Sequence, residues 1–438
     1  MRMEEKNMAV ATSKELRNQV MYSVFVRQYS REGTFAKVEE DLDRIRALGT
    51  DVIWFMPIHP IGRVCRKGTL GSPYAISDYR AVNPEFGTMD DFRRLVDAIH
   101  ARGMKCIIDV VYNHTSPDSW LAQHHPEWFY HKPDGSFGNR IGDWSDIIDL
   151  DYGKRDLWAY QIETLKFWAG IVDGFRCDVA PLVPLEFWLE ARSEVETVRP
   201  GCIWLSESVE PEFTAANRER GMISHSDAEI FHAFDVSYEY DVAGEWMRCL
   251  LGEISLRQYA DAVNRQEYIY PENYVKLRFL ENHDRPRAAF MVPDPAARRN
   301  WTAFLYFQKG MTLLYNGQEA SCVKRPSLFE SDPIDWRQGE DISPALRALL
   351  PLRRHPLLRE GSYHVEDMGH GVLRAEYRKG NQRLVGVFST EGKAALIRAG
   401  VPDGAYRSLI GGGEALVENG LLSLSGEPLV FEVEETGK

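Results

Sequence analysis

From Val20 to Asn316 the chain repeats one pattern, a short apolar run followed by a stretch with apolar residues every three or four positions. That alternation narrows the available folds more than any other feature, because buried parallel strands read as continuous apolar runs and one-faced helices as 3.6-residue periods. Val20 to Tyr29 reads as a strand, and Phe35, Val38, Leu42, Ile45 and Leu48 line one face of a helix over 35–48. DVIWFMPI (51–58) is the second strand. Thr88, with Asp91 three residues on, is the N-cap of a helix that runs to Arg102 and stops at Gly103. Further strands are expected at 105–111, 174–179, 202–207, 233–238, 274–280 and 311–316, with helices at 156–171 and 184–198 among the segments between them. Eight strands joined by helical crossovers predict an α/β fold, a closed (β/α)8 TIM barrel. An open nucleotide-binding sheet is the poorer reading, since neither G-x-G-x-x-G nor a Walker-type loop occurs.

Two stretches break the alternation. Residues 115–148, rich in Pro, Gly, His and aromatics, are too long for an ordinary loop and predict a short excursion (B-type) domain after the third strand. From 357 onward, short alternating segments separated by glycine-rich turns predict a C-terminal antiparallel β-sandwich over 357–438. The expected layout is thus an N-terminal extension (1–19), the barrel (20–114 and 149–356), the excursion and the C-terminal domain.

With 52 basic against 65 acidic residues, the net charge of −13 argues against nucleic acid or anionic lipid as a partner and for a neutral or cationic small molecule. The polar N-terminal stretch has no apolar core of signal-peptide length, and no run is long enough to span a membrane, so a cytoplasmic location is expected. Oligomeric state is not legible. Six scattered cysteines without a C-x-x-C pair are expected as free, mostly buried thiols.

In a barrel, polar residues at the C-terminal strand ends converge on one mouth. Here those ends carry Asp109, Asn113 and His114 (DVVYNH), Arg176 and Asp178 (GFRCDV), Glu207 (LSES), and His283 and Asp284 (ENHD). Strand alternation puts Arg176 and Asp178 on one face, where the guanidinium keeps the aspartate ionised and fit for nucleophilic attack. Glu207 follows the apolar CIWL, whose desolvation would raise its carboxyl towards a usable proton donor. A depressed aspartate beside an elevated glutamate is the division of labour of retaining glycosidases, whose two carboxyls stand about 5–5.5 Å apart.

These motifs, in this order, resemble the α-amylase family, family 13 of the glycoside hydrolases. GSPYAISDYRAVNPEFGT (71–88), the DLD at 149–151 and LLYNGQE (313–319) extend the resemblance. It implies that Asp178 is the nucleophile, Glu207 the general acid and base, and Asp284 a carboxylate that binds sugar hydroxyls and stabilises the transition state. It further implies that Arg176 orients the nucleophile, that His114 and His283 hydrogen-bond the sugar, that Tyr74 offers it a stacking face, and that Asp109 anchors the mouth. Trp128, Phe129, Tyr130 and Trp144 offer further apolar faces for sugar rings, and the group at 128–130 is equally suited to a packing plug.

The sequence departs from the family after Asp178, where VAPLVP replaces the Lys and His of many relatives, and at Ala75, where many carry Asp. No cofactor is expected; calcium enters only because Asn113 matches a ligand position, and the His that would help hold the ion is missing. The expected function is retaining hydrolysis of α-1,4-glucosidic bonds in maltodextrins or related α-glucans through a covalent glycosyl-enzyme. The alternatives are an α-glucan transglycosylase or glucoside isomerase on the same barrel and, from another class, a non-catalytic sugar-binding protein. A structural ion-pair network around Arg176 and a barrel metallohydrolase are the competing readings of the carboxylates.

Overall fold

The computed structural model describes residues 11–434 apart from Asp143. The outer parts of the expected extension and C-terminal domain, residues 1–10 and 435–438, lie outside the described residues. The strands in chain order are β1 (Val20–Val24), β2 (Val52–Phe55), β3 (Lys105–Val110), β4 (His114–Thr115), β5 (Ile148–Asp149), β6 (Gly174–Cys177), β7 (Ile203–Ser206), β8 (Val236–Tyr238), β9 (Lys276–Arg278) and β10 (Met311–Tyr315). Eight of them close into a barrel in the order β1-β10-β9-β8-β7-β6-β3-β2, with parallel pairing across β1–β2–β3–β6–β7–β8 and β9–β10. The fold class read from the alternation is the one found.

Contacts divide the chain into two compact units, one built on Met21–Tyr238 with Pro326–Ile334, the other on Ser13–Val20, Glu239–Arg325 and the chain from Asp335 onward. In the first unit, the register pairs Asp109 with Arg176 and Cys177 with Ser206. The first of these pairs puts an acid and a base side by side on adjacent strands. Gly174 opens β6 where a Cβ would stand 2.3 Å from the Ile203 carbonyl oxygen, so the β6–β7 contact requires the missing side chain.

Several elements are shorter than their sequence patterns. The expected strand over 20–29 ends at Val24, and Val26–Tyr29 forms one helical turn. The helix over 35–48 is broken at Asp41 into Phe35–Glu40 and Leu42–Ala47. Its apolar spacing survives because the break leaves Val38, Leu42 and Ile45 all buried. Thr88 caps the helix Met89–Ala101 through a capping box with Asp91.

The segment between β3 and the helix Arg155–Ala169 is closed at its base by the antiparallel pair β4–β5. Its rings pack mainly on one another. Trp128 stacks on His125 at 3.8 Å, Phe129 meets Phe137 edge-on, and the Arg140 guanidinium lies 4.4 Å from the Tyr130 ring centre. Trp128 and Phe129 are therefore buried.

In the second unit, β11 (Ser362–Asp367), β12 (Val372–Lys379), β13 (Gln382–Ser389), β14 (Ala395–Arg398), β15 (Gly404–Arg407), β16 (Glu414–Glu418), β17 (Leu421–Leu424) and β18 (Leu429–Glu434) form two antiparallel sheets. Their orders are β11-β12-β13-β18 and β14-β17-β16-β15. Val385, Val387 and Phe431 of one sheet share an apolar core with Ile397, Val417 and Leu422 of the other. All six cysteines are free thiols, with Cys65 exposed. Among the described residues no helix is long and apolar enough to cross a membrane.

Candidate active site

The ends of β3, β6 and β7 bring their polar residues onto one buried guanidinium. Arg176 Nη1 lies 2.8 and 3.0 Å from the two carboxylate oxygens of Asp109 and 2.7 Å from Asp178 Oδ1. Nη2 is 2.8 Å from Glu207 Oε1 but outside the alignment of a hydrogen bond, so that contact is an ion pair. Trp54, Tyr74 and Tyr238 surround the guanidinium with ring centres 5.3–5.5 Å away. Arg176 and Asp109 are fully buried, and Asp178 and Glu207 nearly so.

Backbone geometry makes this convergence. Asp178 N–H donates to the Val110 carbonyl and Glu207 N–H to the Cys177 carbonyl, each one step past the end of the barrel ladder. Both side chains therefore emerge at the C-terminal rim. Tyr74 donates from its hydroxyl to Asp109 Oδ2 at 3.2 Å, and His114 Nε2 stands 4.0 Å from Asp178 Oδ2. Of the residues singled out from sequence, Tyr74, Asp109, His114, Arg176, Asp178 and Glu207 thus form one constellation.

Three carboxylates around one cation leave the site short of positive charge. Burial pushes the Asp109 carboxyl up to about 7, against the pull of Arg176. Burial also works against the Arg176 charge, but Asp109 and Glu207 more than offset it and hold its proton firmly. Burial lowers His114 to about 4, so its imidazole is neutral at neutral pH and able both to donate and to accept. The setting of Glu207 differs from the apolar one expected from CIWL: Oε2 accepts the Val179 N–H at 2.8 Å while Oε1 faces Arg176. Both neighbours favour the carboxylate form.

His283 and Asp284 pair with each other in the second unit, His283 Nε2 to Asp284 Oδ2 at 2.9 Å. Their loop is tied by Asn282 Oδ1, which accepts the N–H groups of Asp284 and Arg285 at 2.9 Å. A buried pair stands behind it: Arg287 donates to Glu281 Oε1 at 2.5 Å, and the Ala288 N–H to Glu281 Oε2 at 2.7 Å. Neither Glu281 nor Arg287 was singled out from sequence, though ENHDRPR shows a like-sized acid and base six apart. The contribution of Val179 is made by its backbone and leaves no trace in residue type.

Calcium is tested by the cavity of about 440 Å3 in the first unit that Asn113, Asp149 and Leu182 line with Arg140. The buried Asp149 already accepts the Arg140 N–H at 2.7 Å, with the guanidinium 3.6 Å away and reaching the Leu150 carbonyl at 3.3 Å. A cation is therefore in place, and among the described residues no group of three or more His, Cys, Asp or Glu side chains is arranged to hold a metal ion. This donor set does not fit an ion that takes six to eight oxygens.

A family model described as the α-amylase catalytic domain matches residues 12–144 and 117–350, and one for the bacterial α-amylase C-terminal domain matches 364–431. An α-amylase from Lactobacillus plantarum is similar in structure, with 45% identity, a TM-score of 0.94, and 96% of this chain and 100% of that chain covered. A noncanonic maltogenic α-amylase from Thermotoga neapolitana is 32% identical with a TM-score of 0.84, over 96% and 100% of the two chains. An α-1,4-glucan:maltose-1-phosphate maltosyltransferase of Burkholderia pseudomallei is 37% identical over 76% of this chain. The chain spans about a third of the length of that relative, 31%. With both models matching on a closed barrel and antiparallel C-terminal sheets, the chain is an enzyme of the α-amylase family, glycoside hydrolase family 13.

Proposed function

We propose that the chain cleaves α-1,4-glucosidic bonds of maltodextrins or related α-glucans with retention of configuration. The observation that carries this reading is the sharing of one guanidinium by Asp178 and Glu207, on adjacent strand ends, 2.7 and 2.8 Å from its two nitrogens. Arg176 keeps Asp178 ionised and fixes Oδ1, so that the carboxylate attacks C1 as the bond from C1 to the leaving oxygen breaks. Glu207, protonated for that step, gives its proton to the departing oxygen; the resulting carboxylate then takes a proton from water, which attacks C1 and frees Asp178. The donors now facing Glu207 suit its second role, and substrate entry must shift the balance for the first. An excess of carboxylate over cation matches a transition state that gains positive charge. On this reading Asp284 and His283 hold sugar hydroxyls, neutral His114 hydrogen-bonds the reacting sugar, and Tyr74 supplies a ring face. No step runs through a metal.

A second reading is transfer, in which another sugar resolves the intermediate. The likeness to proteins named maltosyltransferases favours it, as do Pro181 and Leu182 where many relatives carry Lys and His. Product analysis from pure maltotriose separates the two: glucose and maltose mean hydrolysis, longer oligosaccharides mean transfer. No turnover of maltotriose or of α-maltosyl fluoride would contradict both.

A further inference from the structure

Val179, the residue after Asp178, sits at φ 35°, ψ 43° in the left-handed region. For a β-branched residue this is an outlier, since the Cβ crowds its own backbone, and such a conformation persists only where the surroundings over-determine it. They do so here. The Asp178 N–H is held by Val110, the Leu182 N–H donates back to the Val179 carbonyl at 2.9 Å, and Trp188 Nε1 donates to the Ala180 carbonyl at 3.1 Å. Pro181, with its φ locked near the helical value, sits inside the 3-10 turn Ala180–Leu182 that follows. The turn is fixed at both ends, and what it delivers is one N–H, aimed at Glu207 Oε2 from 2.8 Å.

Glycine or asparagine would take this conformation at less cost. We infer that Val179 is a positioning residue for Glu207: its left-handed backbone aims an amide at the carboxyl that serves as acid and base, and sets that carboxyl's orientation beside Asp178. The inference rests on the function proposed above. Because the same turn holds Asp178 at one end and reaches Glu207 at the other, it couples nucleophile and acid–base group through three bonds of backbone rather than through side-chain packing.

The direct test replaces Val179 by α-hydroxyisovaleric acid, which exchanges only the N–H for an ester oxygen and keeps the side chain. Loss of a donor to the carboxylate raises its pKa, so the midpoint of Glu207 titration, followed by carboxyl 13C NMR, should move up by about one unit. Turnover of maltooligosaccharides should fall about tenfold or more. Turnover of α-maltosyl fluoride with azide as acceptor needs neither protonation of the leaving group nor a base, and should stay within about threefold. An unmoved titration midpoint, or equal losses with both substrates, would overturn the inference. Absence of fluoride turnover in the wild-type enzyme would instead count against the proposed function, while the titration still reads the Val179–Glu207 contact.

Discussion

Asp109 and Arg176 stand opposite each other on adjacent parallel strands, and both carboxylate oxygens of the one lie within 3.0 Å of a single nitrogen of the other. Neither side chain reaches solvent. This pair is the base on which the nucleophile and the acid–base group are set, because the same guanidinium continues to Asp178 and Glu207.

Arg176→Lys keeps the charge and loses the fork, so one ammonium cannot serve three carboxylates. Turnover should fall by about 100-fold or more, and unfolding free energy by about 3–5 kcal/mol, the cost of leaving buried carboxylates without their partner. Steady-state kinetics and urea unfolding of the purified variant check both.

The raised Asp109 carboxyl gives a pH signature. Between its ordinary value of 3.8 and about 7 the folded chain holds a proton that the unfolded chain has released, so this group makes stability fall as pH rises through that window. His114, lowered from 6.5 to about 4, works in the opposite sense, because over that range the unfolded chain binds the extra proton. Asp109→Asn removes the falling contribution. Its unfolding free energy from urea titrations should therefore rise with pH from 4 to 6.5 more steeply than that of the wild type, by up to about 1.4 kcal/mol per pH unit.

Gly174→Ala places a Cβ 2.3 Å from the Ile203 carbonyl and 2.8 Å from the Ile203 Cβ, inside the closed barrel. The nearest atom is backbone and the Ile107 Cγ2 crowds the same point at 3.0 Å, so destabilisation of about 1–3 kcal/mol is expected. A thermal unfolding midpoint equal to that of the wild type would contradict the close approach.

Much of this arrangement was legible in the sequence because it depends on residue type and period. Apolar runs of barrel-strand length marked β2, β3, β6 and β7, and the acids following them marked the mouth. What the pattern missed depends on backbone conformation or on distant partners. Val26–Tyr29 (VRQY) follows the apolar run of β1 directly yet turns helical, and Asp41 interrupts a helix whose apolar spacing runs on unchanged. Glu207 was expected in an apolar setting because its own strand is apolar, whereas its neighbours come from β6 and from the turn after it. The rings at 128–130 read equally as platform or plug, and their partners His125, Phe137 and Arg140 decided for packing.

Metal removal tests the Arg140 contact. Dialysis against EDTA should leave activity and melting temperature unchanged, since a guanidinium already neutralises Asp149. Arg140→Ala should lower the melting temperature by about 2–4 °C, corresponding to about 1 kcal/mol from a half-exposed ion pair and its contact with Tyr130. Loss of activity in EDTA, restored by calcium, would reverse this assignment.

The central claim, that Asp178 attacks the anomeric carbon while Glu207 handles the proton, is met most directly by trapping the intermediate. In Glu207→Gln the fluoride leaving group of α-maltosyl fluoride needs no acid and the missing base stalls hydrolysis, so a maltosyl ester should accumulate. Peptide mass spectrometry should find it on Asp178. An adduct on another residue, or no adduct together with a β-configured first product from the wild-type enzyme, would contradict the claim.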